Sequence, residues 1–166
     1  DHMEITVVQG DITTQVVDAV VNAANRGMRG GGGVDGAIHQ AGGPAILEDC
    51  KARFPDGLAT GDAGWTTGGN LPAQWVIHTV GPNYNAGRRD RALLESCYRR
   101  SLEVADELGA RTVAFPLISA GVYGWPKDDA IDAAVATITN TDCAVEEARL
   151  VAFTDRTFQE ISARLR

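Results

Sequence analysis

The sequence predicts an α/β protein: a layered sheet with helices on both faces. Apolar, β-branched runs alternate along the chain with stretches of helical period. Two glycine-rich loops each follow an apolar run directly, as ligand loops do at the carboxyl ends of central strands. With 166 residues, 44% of them hydrophobic, the chain suits one compact domain with a real core, expected over 4–166. Residues 1–3 read as a cloning scar ahead of a start at Met3.

Taken in order, residues 4–9 alternate and form the first strand, and Gly10-Asp11-Ile12-Thr13 turns the chain. A short buried strand over 19–22 leads into the first glycine loop. Residues 34–41 read as a helix ended by Gly42-Gly43, and Pro44 opens another to Phe54. Strands follow at 62–67 and 75–80. Asp90 is placed to cap a long helix whose apolar face carries Leu94, Cys97, Tyr98, Leu102 and Ala105, with Gly109 as its stop. A buried strand over 112–117 runs into the second glycine loop, 119–124, and Pro126 opens a further helix. The last strand is expected at 149–153, and a final helix carries Phe158, Ile161 and Leu165 behind an Asp155 cap.

The chain is organised around residues 22–36, which hold Asn22, Asn25, Asp35 and four consecutive glycines, Gly30 to Gly33. Bare glycine backbone lets N–H groups approach a ligand closely, and a helix opening behind the loop aims its positive dipole end the same way. That favours an anion, most simply a phosphate. Two such loops facing one crevice point to a diphosphate. The dinucleotide pattern Gly-x-Gly-x-x-Gly and the nucleotide-triphosphate loop ending in Gly-Lys-Ser/Thr are both missing.

Net charge is −7 and only two lysines occur, Lys51 and Lys127, which argues against binding nucleic-acid backbones. Three widely spaced cysteines form no metal-ligand pattern and read as reduced thiols of a cytoplasmic protein. No apolar run reaches membrane length. Neither metal nor cofactor is expected, and the chain is expected to be monomeric.

Individual residues keep two readings. Asp35 either caps the helix behind the loop or polarises a water or a ribose hydroxyl. Asn25 either shapes a left-handed turn or contacts ligand. Asp11 is a turn former or an acceptor for an exocyclic amine. His39 and His78 read as packing histidines. Ser119 is not in a Gly-x-Ser-x-Gly elbow, so hydrolysis would rest on an activated water.

Five segments in order resemble the macrodomain family, and within it the MacroD-type ADP-ribosyl hydrolases. They are Gly10-Asp11-Ile12-Thr13, Val21-Asn22-Ala23-Ala24-Asn25, Gly30 to His39, Ile77-His78-Thr79-Val80-Gly81-Pro82, and Ile118 to Gly124. The resemblance implies a three-layer α/β/α sandwich on a mixed sheet, with ADP-ribose as ligand. It assigns Asp11 and the Ile12 amide to adenine. Gly32, Gly33 and Val34 fall to the pyrophosphate and distal ribose. Ser119, Ala120, Gly121, Val122 and Tyr123 close over the phosphates from the other side. The aromatic that many macrodomains stack on adenine is Thr154 here, with Phe153 one position earlier. Asn25 and Asp35 match the pair that hydrolytic members place at the distal ribose. The implied reaction is hydrolysis of the ester between ADP-ribose and acidic side chains of mono-ADP-ribosylated proteins, or of O-acetyl-ADP-ribose, by a phosphate-held water that Asp35 orients or deprotonates. A non-catalytic ADP-ribose reader is the alternative.

Overall fold

The computed structural model describes residues 3–166; Asp1 and His2 lie outside the described residues. Six strands form one sheet: β1 (Glu4–Gln9), β2 (Ala19–Ala24), β3 (Ala63–Thr67), β4 (Trp75–Val80), β5 (Thr112–Phe115) and β6 (Glu147–Ala152). Their spatial order is β1-β6-β5-β2-β4-β3. All neighbours are parallel except β3, which lies antiparallel on β4 at one edge. The helices are α1 (Gly33–Gly42), α2 (Pro44–Arg53), α3 (Arg91–Leu108), α4 (Lys127–Asn140) and α5 (Asp155–Leu165). None of the described helices is long and apolar enough to cross a membrane.

The central strands are buried on both faces, and neighbouring residues along them serve different layers. Val20 and Val76 pack with Ile38 of α1 and with Ile46 and Cys50 of α2. Val21 and Ile77 point the other way, into a core with Leu94, Tyr98 and Leu102 of α3 and Ile131 and Ile138 of α4. This is the three-layer sandwich expected from the resemblance. Period-two alternation in the strands and helical period in the covering elements are what divide the apolar residues between two cores.

Several boundaries differ from the sequence expectation. β5 stops at Phe115, because Pro116 has no N–H to extend the ladder. β6 begins at Glu147, drawn in by pairing with Glu4 and Thr112, and ends at Ala152; Phe153 lies past the sheet and is 85% exposed. The last helix is capped by Thr154, whose hydroxyl accepts from the Thr157 N–H, while Asp155 is its first residue. Asp90 does cap α3, accepting from Ala92 N–H, and Gly109 ends it with φ 73°.

Candidate functional site

At the carboxyl ends of β2, β4 and β5 lies a cleft of about 370 Å³. β2 hands the chain to α1 on one face, whereas the segment after β5 leads to α4 on the other. The crevice therefore opens where the connections diverge, the usual ligand position in open α/β sheets. Asn25, Gly31, Gly32, Gly33, Val34 and Asp35 line one wall, and Ser119, Gly121, Val122 and Tyr123 the other. The fold thus gathers the two glycine loops around one space.

The first loop needs glycine for separable reasons. Gly30 and Gly33 adopt φ of 92° and 58°, a region that side chains disfavour. A Cβ on Gly36 would approach the Gly31 carbonyl oxygen to 2.6 Å, so α1 can seat this tightly only with glycine there. Gly32 occupies the N-cap position, and no side chain caps α1. The first amides of α1 therefore stay available to an anion beside the cleft.

Asp35 sits in the first turn of α1 but bonds sideways rather than capping the helix. It is 5% exposed. Its Oδ1 accepts from Asn22 Nδ2 at 2.8 Å and lies 3.4 Å from His39 Nε2. Its Oδ2 lies against Gly31, where a Cβ would come within 3.1 Å of it and 3.2 Å of Asn25 Nδ2. Asp35 and Asn25 therefore flank the same glycine on the cleft wall. Asn25 also holds its own loop: its Oδ1 accepts from Met28 N–H at 3.2 Å and its Nδ2 donates to Gly30 O at 3.1 Å. Asn25 thus shapes the turn through its side chain, with the left-handed backbone falling on Met28 (φ 60°), and its amide keeps one free N–H.

In the second loop Ser119 takes φ 66°, is 6% exposed, and has a hydroxyl with no hydrogen-bond partner. Buried hydroxyls are normally hydrogen-bonded, so this orphaned group sets Ser119 apart from the rest of the wall. Asn85 braces the loop from outside: its N–H donates to Tyr123 O and its Nδ2 to Val122 O. Ala120, expected in the site, does not line the cleft; it is partly buried against the core on the α3 and α4 side.

Asp11, Ile12 and Phe153 are not in this cleft wall. Asp11 caps a single 3-10 turn (Ile12–Thr14), its Oδ1 accepting from Thr13 N–H and Thr13 Oγ1. The second carboxylate oxygen is left over. Gly10 N–H donates to Ala152 O, which brings Asp11 beside exposed Phe153 at the ends of paired β1 and β6. The Ile12 side chain is buried in the core, so only its backbone can serve a ligand. Sequence reasoning did not assign Ala23, Ala24, Gly81, Pro116 and Leu117 to the site, yet they line the cleft; their apolar or bare character carries no chemical signal.

Behind Asp35 the buried imidazole of His78 is driven down to about 3 by loss of solvent, with repulsion from His39 adding to it and Asp49 opposing. Burial of the Cys50 thiol and the charge of Asp35 push Cys50 up to about 11. Both groups are neutral at physiological pH. An unfolded histidine takes its proton near pH 6.5 whereas folded His78 resists until about 3. Between these values the unfolded state binds the extra proton. Its contribution to stability is complete above pH 6.5 and is lost progressively as pH falls below that value. Urea unfolding between about pH 7 and about pH 4 should show a shallower pH slope for His78→Gln than for wild type; identical slopes would contradict the assignment.

Comparison with known proteins bears on what such a cleft holds. The Macro domain family matches residues 21–134. A Macro domain-containing protein of Streptomyces coelicolor is 58% identical over 165 residues, covering 97% of this chain and 98% of that protein. An O-acetyl-ADP-ribose deacetylase of Pantoea vagans is 49% identical over 150 residues, covering 89% of this chain and 86% of that one. Among solved structures, the Trypanosoma brucei macrodomain in complex with ADP-ribose superposes with a TM-score of 0.90 at 34% identity, covering 98% of this chain and 69% of that one. The Oceanobacillus iheyensis macrodomain with ADP gives 0.88 at 38%, covering 96% and 88%. Matched across nearly its whole length in both sequence and fold, the chain belongs to the Macro domain family.

Proposed function

We propose that residues 4–166 form one macrodomain of the MacroD type that binds ADP-ribose in this cleft and hydrolyses esters at its distal ribose. The substrates are mono-ADP-ribosylated acidic side chains and O-acetyl-ADP-ribose. The observation that carries the reading is the carboxylate of Asp35, buried and fixed through Oδ1, with Oδ2 and Asn25 Nδ2 flanking one glycine of the cleft wall. A reader needs the pocket but not a carboxylate held beside the ribose end. The similarity to a named O-acetyl-ADP-ribose deacetylase supports the same chemistry.

In this reading the free amides at the start of α1 hold the pyrophosphate through Gly32, Gly33 and Val34, and residues 119–123 close over it. Asp11 and the Ile12 amide take the adenine edge, and Phe153 lies within the same end of the site. Asn25 fixes ribose hydroxyls with its remaining N–H. A water held at the phosphate attacks the ester while Asp35 orients it or accepts its proton. The products are ADP-ribose and a free carboxylic acid. Three free cysteines, two of them buried, accord with a cytoplasmic setting.

Incubation with a glutamate-linked mono-ADP-ribosylated protein and with O-acetyl-ADP-ribose should release ADP-ribose, read by chromatography. Binding of ADP-ribose by calorimetry with no release from either substrate would leave the reader function instead.

A further inference from the structure

The cleft accounts for one side of Asp35 only. Behind it, polar groups continue through the protein interior to the edge of the sheet. Asn22 of β2 is fully buried, and His78 of β4 is 1% exposed; the two are cross-strand partners in the β2–β4 register. Asn22 Nδ2 stands 2.8 Å from Asp35 Oδ1 and 3.1 Å from His78 Nδ1. On the far side of the ring, His78 Nε2 is 2.8 Å from Thr66 Oγ1 of β3, itself buried, and that hydroxyl is 3.0 Å from Thr67 O.

Chemistry gives these contacts one direction. A carboxylate only accepts, so Asn22 must present its amino group to Asp35. The second N–H of that amide then goes to His78, whose Nδ1 must carry a lone pair. The ring proton therefore sits on Nε2 and is donated to Thr66, whose own proton is donated to Thr67 O. Every donor in the series has an acceptor. The Asn22 carbonyl oxygen has no partner, so nothing holds the amide from its acceptor side. Rotating it by half a turn would set that oxygen against both the Asp35 carboxylate and the His78 lone pair. Cys50 Sγ also approaches Nε2, at 3.8 Å, as the weaker of two neighbours beside Thr66 Oγ1 at 2.8 Å.

We propose that His78 is a positioning residue of this site: acting through Asn22, and itself set by Thr66, it fixes where the Asp35 carboxylate points. A histidine that merely filled the core would require neither this tautomer nor an amide left with an unpaired oxygen, which burial makes costly. The suppressed basicity of the ring keeps the Nδ1 lone pair in place throughout the physiological range. The consequence for turnover rests on Asp35 serving the ester hydrolysis proposed above; the orientation of its carboxylate does not.

The test uses Thr66→Val, which is nearly isosteric and touches neither Asp35 nor the cleft, together with His78→Leu. Carbon-13 NMR follows the Asp35 carboxyl resonance, nitrogen-15 NMR follows the His78 ring, and ADP-ribose affinity and steady-state rates are measured alongside. Wild type should show an Nε2-protonated, neutral His78. Thr66→Val should shift both the ring nitrogens and the Asp35 carboxyl carbon. In His78→Leu, kcat should fall about tenfold, and in Thr66→Val about threefold, with ADP-ribose affinity within about twofold of wild type. The proposal is overturned if the Asp35 resonance stays put in folded Thr66→Val; shifted resonances with kcat unchanged in both variants would instead overturn the role of Asp35 in turnover. The proposal is also overturned if the wild-type ring is protonated on Nδ1. A wild type without turnover would sink the hydrolase reading alone, because the resonances still decide whether the carboxylate is set from behind.

Discussion

With Asp35 as the base, replacing it with asparagine should lower kcat for ester hydrolysis by about 100-fold or more, while ADP-ribose affinity stays within about threefold of wild type. Asparagine preserves the shape of the site, and its carbonyl oxygen can still accept from Asn22 Nδ2, the 2.8 Å contact that anchors the carboxylate. What it removes is charge and the ability to take a proton from water. Asp35→Ala removes the acceptor as well and leaves a buried N–H of Asn22 unpaired, at a cost of about 1–3 kcal/mol in stability. Alanine alone would thus confuse chemistry with folding. The pair of variants also separates two roles. If a substrate phosphate is the base and Asp35 only orients the water, the asparagine variant keeps much of the activity and the alanine variant loses it. If Asp35 is the base, both are inactive. Wild-type rates in both variants would remove Asp35 from the reaction.

The layered architecture was legible because the strands alternate and the helices repeat with helical period. The glycine loop was legible for a related reason: four adjacent glycines have few uses other than close approach, and the structure puts their backbone on the cleft wall. Boundaries failed for both local and tertiary reasons. Thr154 rather than Asp155 caps α5, and β6 starts at Glu147 because Glu4 pairs with it.

The supporting groups behind Asp35 were the least legible. Asn22 and His78 are far apart in the sequence and look like a loop asparagine and a packing histidine. Only the parallel register of β2 and β4 sets them opposite each other. The choice between cap and functional carboxylate at Asp35 had the same origin. Its position in the first helical turn fits a cap, and only the location of Asn22 and His39 shows that the side chain turns away from the backbone amides.

Gly32→Glu should fold normally yet bind ADP-ribose at least about 100-fold more weakly, a loss of about 2.7 kcal/mol. The backbone at Gly32 has φ −95° and ψ −175°, an extended conformation open to any residue, and a Cβ there would meet nothing within 4 Å. Its neighbours do not share this freedom: Gly33 has φ 58°, and a Cβ on Gly36 would strike the Gly31 carbonyl. Position 32 is therefore where a side chain can test the ligand without testing the fold. The carboxylate introduced there would project toward the amides that start α1, which no side chain caps. It would compete for them as an internal anion and repel the incoming diphosphate. Gly32→Ala serves as the control, adding a methyl without charge, and should weaken binding by less than about tenfold. A thermal midpoint close to wild type in both variants would show that the fold is intact. Undiminished affinity in the glutamate variant would mean that the pyrophosphate lies elsewhere, and the division of labour between the glycines and Asp35 would fall with it.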